Sequence, residues 1–184
     1  MNKITIKKVA VIGSGIMGSR IACHFANIGV KVLLLDICPK ELSEEEKKKG
    51  LNLKNKIVRN RIVTSSFLNT LKTKPKSFYL DENKKNISLG NIEDDINKIS
   101  EVDWVIEVVV EKLEIKKIVF EKIEKHRKKG TLITSNTSGI PVKKMIEERS
   151  PDFVENFCVT HFFNPPRYMK LLEIVPGEKT KKEI

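Results

Sequence analysis

Three glycines spaced as Gly-x-Gly-x-x-Gly constrain this chain more than any other feature. They are Gly13, Gly15 and Gly18; the apolar run of residues 9–12 precedes them, and Asp36 closes the next apolar run. A strand, a tight turn, a helix and a second strand that ends in a carboxylate together form the βαβ unit that binds dinucleotides. The sequence therefore predicts a dinucleotide-binding unit at the start of the chain.

Each residue type in this unit meets a physical demand. The first glycine allows the tight turn, the second lets the backbone approach a pyrophosphate, and the third lets the helix pack closely on the sheet. We predict a helix over residues 16–28. The free N–H groups of its first turn, at Ile16 and Met17, attract phosphate together with the helix dipole. The Asp36 carboxylate can accept hydrogen bonds from a ribose and repels a 2′-phosphate, which favours NAD over NADP.

The rest of the chain alternates strands with helices. This pattern predicts a doubly wound, mostly parallel sheet with helices on both faces, a Rossmann-like α/β fold that occupies residues 1–184 as one domain. A helical arm is predicted over about residues 41–75, where a patchy helical pattern is broken at Gly50. Further strands are predicted at residues 30–35, 87–90, 104–110, 131–134, 156–163 and 169–175, and further helices at 92–99, 115–126 and 142–148.

The net charge of +11 has several possible meanings. Much of it lies between positions 47 and 76. A nucleic-acid surface is one interpretation, but no aromatic residue alternates with the basic ones before Phe67. Attraction of a polyanion such as coenzyme A is a second, and a solvated helical face is a third. We expect no nucleic-acid partner.

The cysteines and the hydropathy pattern indicate the compartment. Cys23, Cys38 and Cys158 are widely spaced and lack the spacing of a zinc site. They are typical of reduced core cysteines in a cytoplasmic protein, and we expect no metal. Because no apolar run is long enough to cross a bilayer, we expect no membrane association.

Polar residues follow several predicted strands, where ligands collect in an open α/β sheet. One of them, His161, lies near the end of a strand, and Glu173 lies within the next. Adjacent strands could bring imidazole and carboxylate together, and the carboxylate would orient the ring and raise its basicity. A histidine beside Phe162 and Phe163 is also typical of a core residue, and that alternative stays open on these grounds.

Four motifs in order resemble the L-3-hydroxyacyl-CoA dehydrogenases. They are the Gly-x-Gly-x-Met-Gly start, the segment of residues 107–116, the Ser-Asn-Thr-Ser turn at 135–138, and His-Phe-Phe-Asn-Pro at 161–165 followed by residues 169–177. They span nearly the whole chain. The variants Asn-Thr-Ser-Gly-Ile-Pro and Asn-Pro-Pro-Arg-Tyr are most similar to bacterial β-oxidation proteins that fuse this dehydrogenase to an enoyl-CoA hydratase.

The resemblance implies a role for each matching residue. His161 would take the proton of the 3-hydroxyl while hydride leaves C3 for the nicotinamide of NAD, and Glu173 would stabilise the charged imidazole. Ser138 and Asn164 would hydrogen-bond to substrate and nicotinamide groups. The remaining implied cofactor contacts are Glu111 and Lys116.

The resemblance also implies partners. The substrate would be an L-3-hydroxyacyl-CoA, oxidised to the 3-ketoacyl-CoA in fatty-acid β-oxidation, with the arm near coenzyme A. The family continues into a C-terminal helical domain that forms a homodimer. That domain is not among these 184 residues, so we expect a piece of a larger protein, weakly active or inactive alone.

One departure and two alternatives bear on this interpretation. Gly139 stands where many family members have a second serine, so one substrate-side hydroxyl is missing. A dehydrogenase of another 3-hydroxy acid could use the same framework. A non-catalytic module that binds NAD(H) or, through its basic surface, nucleic acid is the alternative from a different class.

Overall fold

The computed structural model describes residues 5–184, which contain one seven-stranded sheet. The strands are β1 Lys8–Ile12, β2 Lys31–Asp36, β3 Ile87–Asn91, β4 Trp104–Glu107, β5 Leu132–Ser135, β6 Phe157–Phe162 and β7 Leu172–Pro176. Their order is β3-β2-β1-β4-β5-β6-β7. The first six are parallel and β7 is antiparallel to β6. The predicted Rossmann-like fold is confirmed, and the carboxyl ends of the six parallel strands meet at one edge.

Helices cover both faces of this sheet. They are α1 Ile16–Asn27, α2 Glu44–Lys48, α3 Lys56–Arg59, α4 Arg61–Lys72, α5 Ile92–Asp95, α6 Leu113–His126, α7 Val142–Met145 and α8 Pro151–Glu155. Two 3-10 helices, Asp81–Asn86 and Ile96–Glu101, precede β3 and β4. None of the helices in residues 5–184 combines the length and the apolar character needed to span a membrane.

The core lies in two clusters, one on each face of the sheet. Ala10 and Ile12 belong to the cluster that contains Phe120 of α6, whereas Val9 and Val11 belong to the one beneath α1. Alternate side chains of a strand point to opposite faces, so the central strand β1 supplies both clusters. Full burial of a side chain such as that of Phe120 contributes roughly 1.5–3 kcal/mol to the stability of the folded chain.

The predicted arm is made of α2, α3 and α4. Gly50, with a φ of +65°, follows α2, as the predicted break requires. Val63 and Phe67 of α4 pack into the same core cluster as α1, so the C-terminal part of the arm is attached to the cofactor side of the domain. The arm also contacts the rest of the domain at α5, where Arg59 donates two hydrogen bonds, of 2.6 and 2.7 Å, to Asp94.

Several predicted boundaries are wrong. The strand predicted over residues 104–110 ends at Glu107, because its neighbour β5 ends at the paired residue Ser135. Glu111 therefore lies in the following loop rather than at the strand end. The strand predicted from 169 begins at Leu172, because Tyr168 and Met169 donate backbone hydrogen bonds to Pro165 in a turn.

Two predicted helices differ from the expectation. One α-helix is predicted over residues 92–99. The structure has α-helix α5 only over Ile92–Asp95, followed by a 3-10 helix over Ile96–Glu101. The helix predicted over 142–148 ends at Met145, and Glu148 adopts a φ of +63°, which an α-helix cannot contain.

The three cysteines are free. Burial raises the pKa of the Cys23 thiol to about 12 and that of Cys158 to about 11. Cys38 is wrongly predicted as a core residue, because it lies just beyond β2 and is partly exposed.

Candidate active site

The glycine loop lies at the carboxyl end of β1, and its glycines differ in what surrounds them. Gly13 has a φ of +103°, and a Cβ there would lie 2.5 Å from the Val108 carbonyl oxygen. A Cβ on Gly18 would overlap the Gly13 carbonyl. A Cβ on Gly15 would meet no atom within 4 Å. The loop and α1 therefore pack too tightly for side chains at Gly13 and Gly18, whereas the space in front of Gly15 is open to a phosphate.

Asp36 lies beside this loop at the end of β2. Its Oδ2 accepts hydrogen bonds from the Ser14 N–H at 2.6 Å and from the Ser14 hydroxyl at 2.5 Å. Ile16 starts α1 and is 70% exposed, and Met17 packs partly into the core. Ser14, which is buried, is absent from the residues predicted for the site; its position between two of the fingerprint glycines is the signal that could have found it.

A buried ion pair lies at the end of β4. Lys116 Nζ donates to both carboxylate oxygens of Glu107, at 2.8 and 3.0 Å, and the two side chains are 1% and 0% exposed. Glu107 also accepts a hydrogen bond from the Val109 N–H at 2.7 Å and one from the Ser135 hydroxyl at 2.5 Å. These donors satisfy a charge that would otherwise be costly to bury.

The same lysine reaches a second carboxylate. Lys116 Nζ lies 3.3 Å from Glu111 Oε2, and the Thr137 hydroxyl donates to Glu111 Oε1. The Thr137 N–H in turn donates to the Ser135 hydroxyl at 3.3 Å. Five residues thus form a closed network that we call the charged ring, made of Glu107, Lys116, Glu111, Thr137 and Ser135.

The charged ring fixes the turn that carries Ser138. Partial burial raises the pKa of Glu111. The Thr137 hydrogen bond and the Lys116 charge together outweigh burial, so the pKa of Glu111 lies below its ordinary value. The Thr137 hydroxyl oxygen also accepts a hydrogen bond from the Ile140 N–H at 3.1 Å. The turn is therefore held from both sides of Ser138.

These contacts bear on the predicted cofactor residues. Glu111 is 47% exposed and open to a ligand, whereas Lys116 is buried, and its ammonium is occupied by two carboxylates. A direct contact of Lys116 with the cofactor stays a prediction. Glu107 is absent from the predicted site, although a carboxylate at the end of an apolar strand, nine residues before a lysine on the next helix, is a recognisable signal.

His161 and Glu173 face each other across β6 and β7. They are register partners, and His161 Nδ1 lies 2.8 Å from Glu173 Oε2. Because a carboxylate accepts hydrogen bonds, this contact places a proton on Nδ1 and leaves Nε2 of the neutral ring as an acceptor. The alternative of a buried core histidine is wrong, since 23% of the His161 side chain is exposed.

A cavity of about 220 Å³ lies beside this pair. It brings together the predicted residues Ser138, His161 and Glu173 with the apolar side chains of Val159 and Val175. The cavity lies at the carboxyl ends of β5 and β6, where ligands of open α/β sheets bind. It is large enough for the reacting end of a small substrate.

Asn164, which follows β6, contacts helix α1. Its Oδ1 accepts a hydrogen bond from Arg20 Nη1 of α1 at 2.5 Å, which orients the amide and leaves its NH₂ group free to donate. Arg20 is absent from the predicted site, and nothing in the sequence pattern shows that it reaches Asn164. Within residues 5–184, no cluster of three or more His, Cys, Asp or Glu side chains is arranged to hold a metal ion.

Comparison with known proteins identifies what this arrangement is similar to. Residues 8–184 match the family model described as "3-hydroxyacyl-CoA dehydrogenase, NAD binding domain". The chain is 52% identical over 179 residues to the "Probable 3-hydroxyacyl-CoA dehydrogenase" of Bacillus subtilis, a match that covers 97% of this chain and 23% of that protein. It is 32% identical over 179 residues to the fatty acid oxidation complex subunit alpha of Acinetobacter baumannii, a match that covers 97% of this chain and 22% of that subunit.

A solved structure supports the same relationship. The 3-hydroxybutyryl-CoA dehydrogenase of Escherichia coli matches with a TM-score of 0.68 and 32% identity, over 97% of this chain and 34% of that one. The chain thus spans between about a fifth and a third of the length of these three proteins.

Proposed function

Because the chain belongs to the family of 3-hydroxyacyl-CoA dehydrogenase NAD-binding domains, we propose that it supplies the cofactor site and the proton-transfer pair of an enzyme that interconverts L-3-hydroxyacyl-CoA and 3-ketoacyl-CoA in fatty-acid oxidation. The observation that carries this proposal is the His161–Glu173 pair beside a cavity at the carboxyl edge of the sheet. The same edge carries the glycine loop and Asp36.

The residues present fit NAD. The open space at Gly15 accepts a pyrophosphate, and the N–H groups at Ile16 and Met17 point to the same region at the start of α1. Asp36 accepts hydrogen bonds from the adenosine ribose and repels a 2′-phosphate. Glu111, Ser138 and Asn164 hold the nicotinamide half. NAD bound there supplies the hydride acceptor.

His161 and Glu173 perform the proton transfer. The Nε2 atom of His161 takes the proton of the 3-hydroxyl, and the imidazole becomes positively charged. The Glu173 carboxylate, 2.8 Å from Nδ1, stabilises that charge and keeps the ring in the tautomer whose Nε2 is free. In the reverse direction, the charged imidazole returns the proton to the oxygen. Ser138 and the Asn164 NH₂ group donate hydrogen bonds that orient the substrate.

The acyl-CoA binds across the cavity and the arm. The basic residues of the arm attract the phosphates of coenzyme A. Of the three interpretations of the net charge, this function favours the attraction of a polyanion. The side chains of β7 are exposed, with Ile174 57% exposed and Val175 48% exposed. The C-terminal helical domain implied by the family resemblance would cover part of this surface and form the homodimer.

The proton-transfer proposal is tested by NADH oxidation with acetoacetyl-CoA. In this direction the charged imidazole donates the proton, and His161→Gln removes it, so we expect the rate to fall by about 10²–10⁴-fold. The matched control is His126→Gln, which changes a partly exposed histidine on α6 and leaves the pair intact. Both variants are made in the 184-residue chain and in the longest natural protein that contains it. An unchanged rate for His161→Gln would contradict the mechanism.

The cofactor preference is tested by titrating NADH and NADPH separately. We expect the wild-type chain to bind NADH more tightly, and Asp36→Asn to reduce that preference because the negative charge facing the 2′ position is lost. Changes in NADH fluorescence give both dissociation constants. Equal affinity of the wild-type chain for the two nucleotides would rule out the role of Asp36.

A further inference from the structure

Arg167 joins residues 161–173, which we call the active-site segment, to residues 76–80, the loop that follows the arm. It lies between Asn164 and β7, and its Nη1 donates to the carbonyl oxygens of Lys76 and Phe78, at 2.7 and 2.8 Å. Its guanidinium carbon lies 4.1 Å from the ring centroid of Tyr79. The Tyr168 hydroxyl adds a contact of 3.3 Å to the Lys76 carbonyl oxygen. A planar guanidinium that donates to two carbonyls and stacks on a ring makes an orientation-specific contact.

The loop that Arg167 holds is itself fixed to the domain. Asn27, at the end of α1, donates to the Ser77 carbonyl at 2.8 Å and accepts from the Tyr79 N–H at 3.0 Å. Phe78 is buried, and its ring packs edge-on against Phe67 of α4 at 6.4 Å between centroids. The arm, this loop and α1 therefore form one body, and Arg167 attaches the active-site segment to it.

Much of the active-site segment is exposed, and side-chain contacts with Arg20 and Arg167 attach it to the rest of the chain. Between His161 and Glu173, residues 168–173 are exposed, and so is Asn164. Arg20 holds Asn164 at one end of this segment and Arg167 holds its middle. Losing the Arg167 contacts would free the segment that joins the two residues of the proton-transfer pair from the base of the arm.

We propose that Arg167 is a positioning residue that sets the separation between the arm and the proton-transfer pair, and so favours thioesters that carry the coenzyme A nucleotide. This inference rests on the proposed function, in which the arm binds the nucleotide end and the cavity binds the acyl end. When both ends are held by one rigid body, binding of the first end presents the second at high effective concentration. When the two regions move independently, part of that advantage is lost.

The test compares two thioesters that differ only at the nucleotide end. Acetoacetyl-CoA and acetoacetyl-pantetheine are titrated calorimetrically into the 184-residue chain saturated with NAD⁺, which does not react with a 3-keto thioester, as wild type, Arg167→Ala and Arg149→Ala. Arg149→Ala is the matched control, since Arg149 pairs with Glu124 away from this segment. We expect Arg167→Ala to weaken acetoacetyl-CoA binding by about tenfold, because the second end of the ligand is then presented at a lower effective concentration, and to change pantetheine thioester binding by less than about twofold.

The outcomes separate this inference from the proposed function. If Arg167→Ala weakens both thioesters equally, or neither, the positioning role is wrong while the proposed function stands. If the wild-type chain binds neither thioester, the proposed function fails and the inference with it. Amide hydrogen exchange gives an independent measurement: the Tyr79 N–H should exchange faster in Arg167→Ala than in Arg149→Ala, and equal rates would contradict a mechanical connection.

Discussion

Two acid–base pairs lie at the same edge of the sheet, and they are built in opposite ways. Glu107 and Lys116, in the charged ring, are almost completely buried, and the Glu107 carboxylate accepts from three different residues. The His161–Glu173 pair is joined by one hydrogen bond across β6 and β7, and its side chains are 23% and 52% exposed.

The proposed function gives a physical reason for this difference. A buried charge is tolerated only when it is paired, and the Glu107 carboxylate accepts its hydrogen bonds from Lys116, Val109 and Ser135. The Glu107–Lys116 pair therefore fixes the position of the Ser138 turn. In the proposed mechanism the His161–Glu173 pair exchanges a proton with a substrate, which requires that a substrate can reach His161, and 23% of its side chain is exposed.

Breaking the buried pair should give the largest effect. Lys116→Met leaves the Glu107 carboxylate buried without its cation, so we expect the free energy of unfolding to fall by about 3–5 kcal/mol. Urea denaturation followed by circular dichroism measures it. The double variant Glu107→Leu/Lys116→Met should recover part of this loss, because no uncompensated charge remains.

A neighbouring lysine supplies the control for this experiment. Lys117 pairs with Glu147 on the surface, so Lys117→Met should cost less than about 1 kcal/mol. A similar loss in both single variants would show that the buried pair contributes no more than a surface pair, and the contrast between the two regions would disappear.

The exposed pair should respond in the opposite way. Glu173→Gln keeps a polar partner for His161 but removes the charge that stabilises the imidazolium. We expect the rate of NADH oxidation with acetoacetyl-CoA to fall roughly tenfold to hundredfold, which is less than the roughly 10²–10⁴-fold that general acid–base catalysis contributes as a whole. The free energy of unfolding should change by less than about 1 kcal/mol, since exposed pairs contribute little. A large loss of stability without a loss of rate would reverse the assignment.

The two regions also differ in how far the sequence predicts them. The glycine fingerprint and the strand–helix alternation predict the fold, because both depend on local spacing. His161 and Glu173 are predicted as partners because a hairpin-like pair of strands brings nearby positions together, and the structure confirms that contact. Their roles in catalysis remain predictions.

The charged ring could not be predicted in the same way. Its members come from β4, the following loop, α6 and the turn after β5, and their contacts depend on where β4 ends. The prediction that β4 runs to residue 110 is wrong, and it placed Glu111 where the structure has Glu107. The contacts of Arg20 with Asn164 and of Arg167 with Lys76 cross 144 and 91 positions, a separation that no local pattern encodes.

Glu111 combines features of both pairs, and its substitution should have the smallest effect on stability. It belongs to the charged ring but is 47% exposed, and its pKa in the folded chain lies below the ordinary value of 4.5. A carboxylate with a lowered pKa stabilises the fold above pH 4.5, and that contribution is lost as the pH falls through the folded-state pKa. Glu111→Gln should therefore be less stable than the wild-type chain at pH 7, by less than about 1 kcal/mol, because the pair is partly exposed.

The gap between these two chains should close as the pH falls below 4.5, since the protonated carboxyl and the amide are then both uncharged. Urea denaturation between pH 7 and pH 3 measures the gap, and Glu121→Gln, at an exposed position on α6, is the matched control. A gap that stays constant with pH would show that the Lys116 and Thr137 contacts do not act on the ionised form. The charged ring would then be held by Glu107 alone, and Glu111 would be free to serve the ligand.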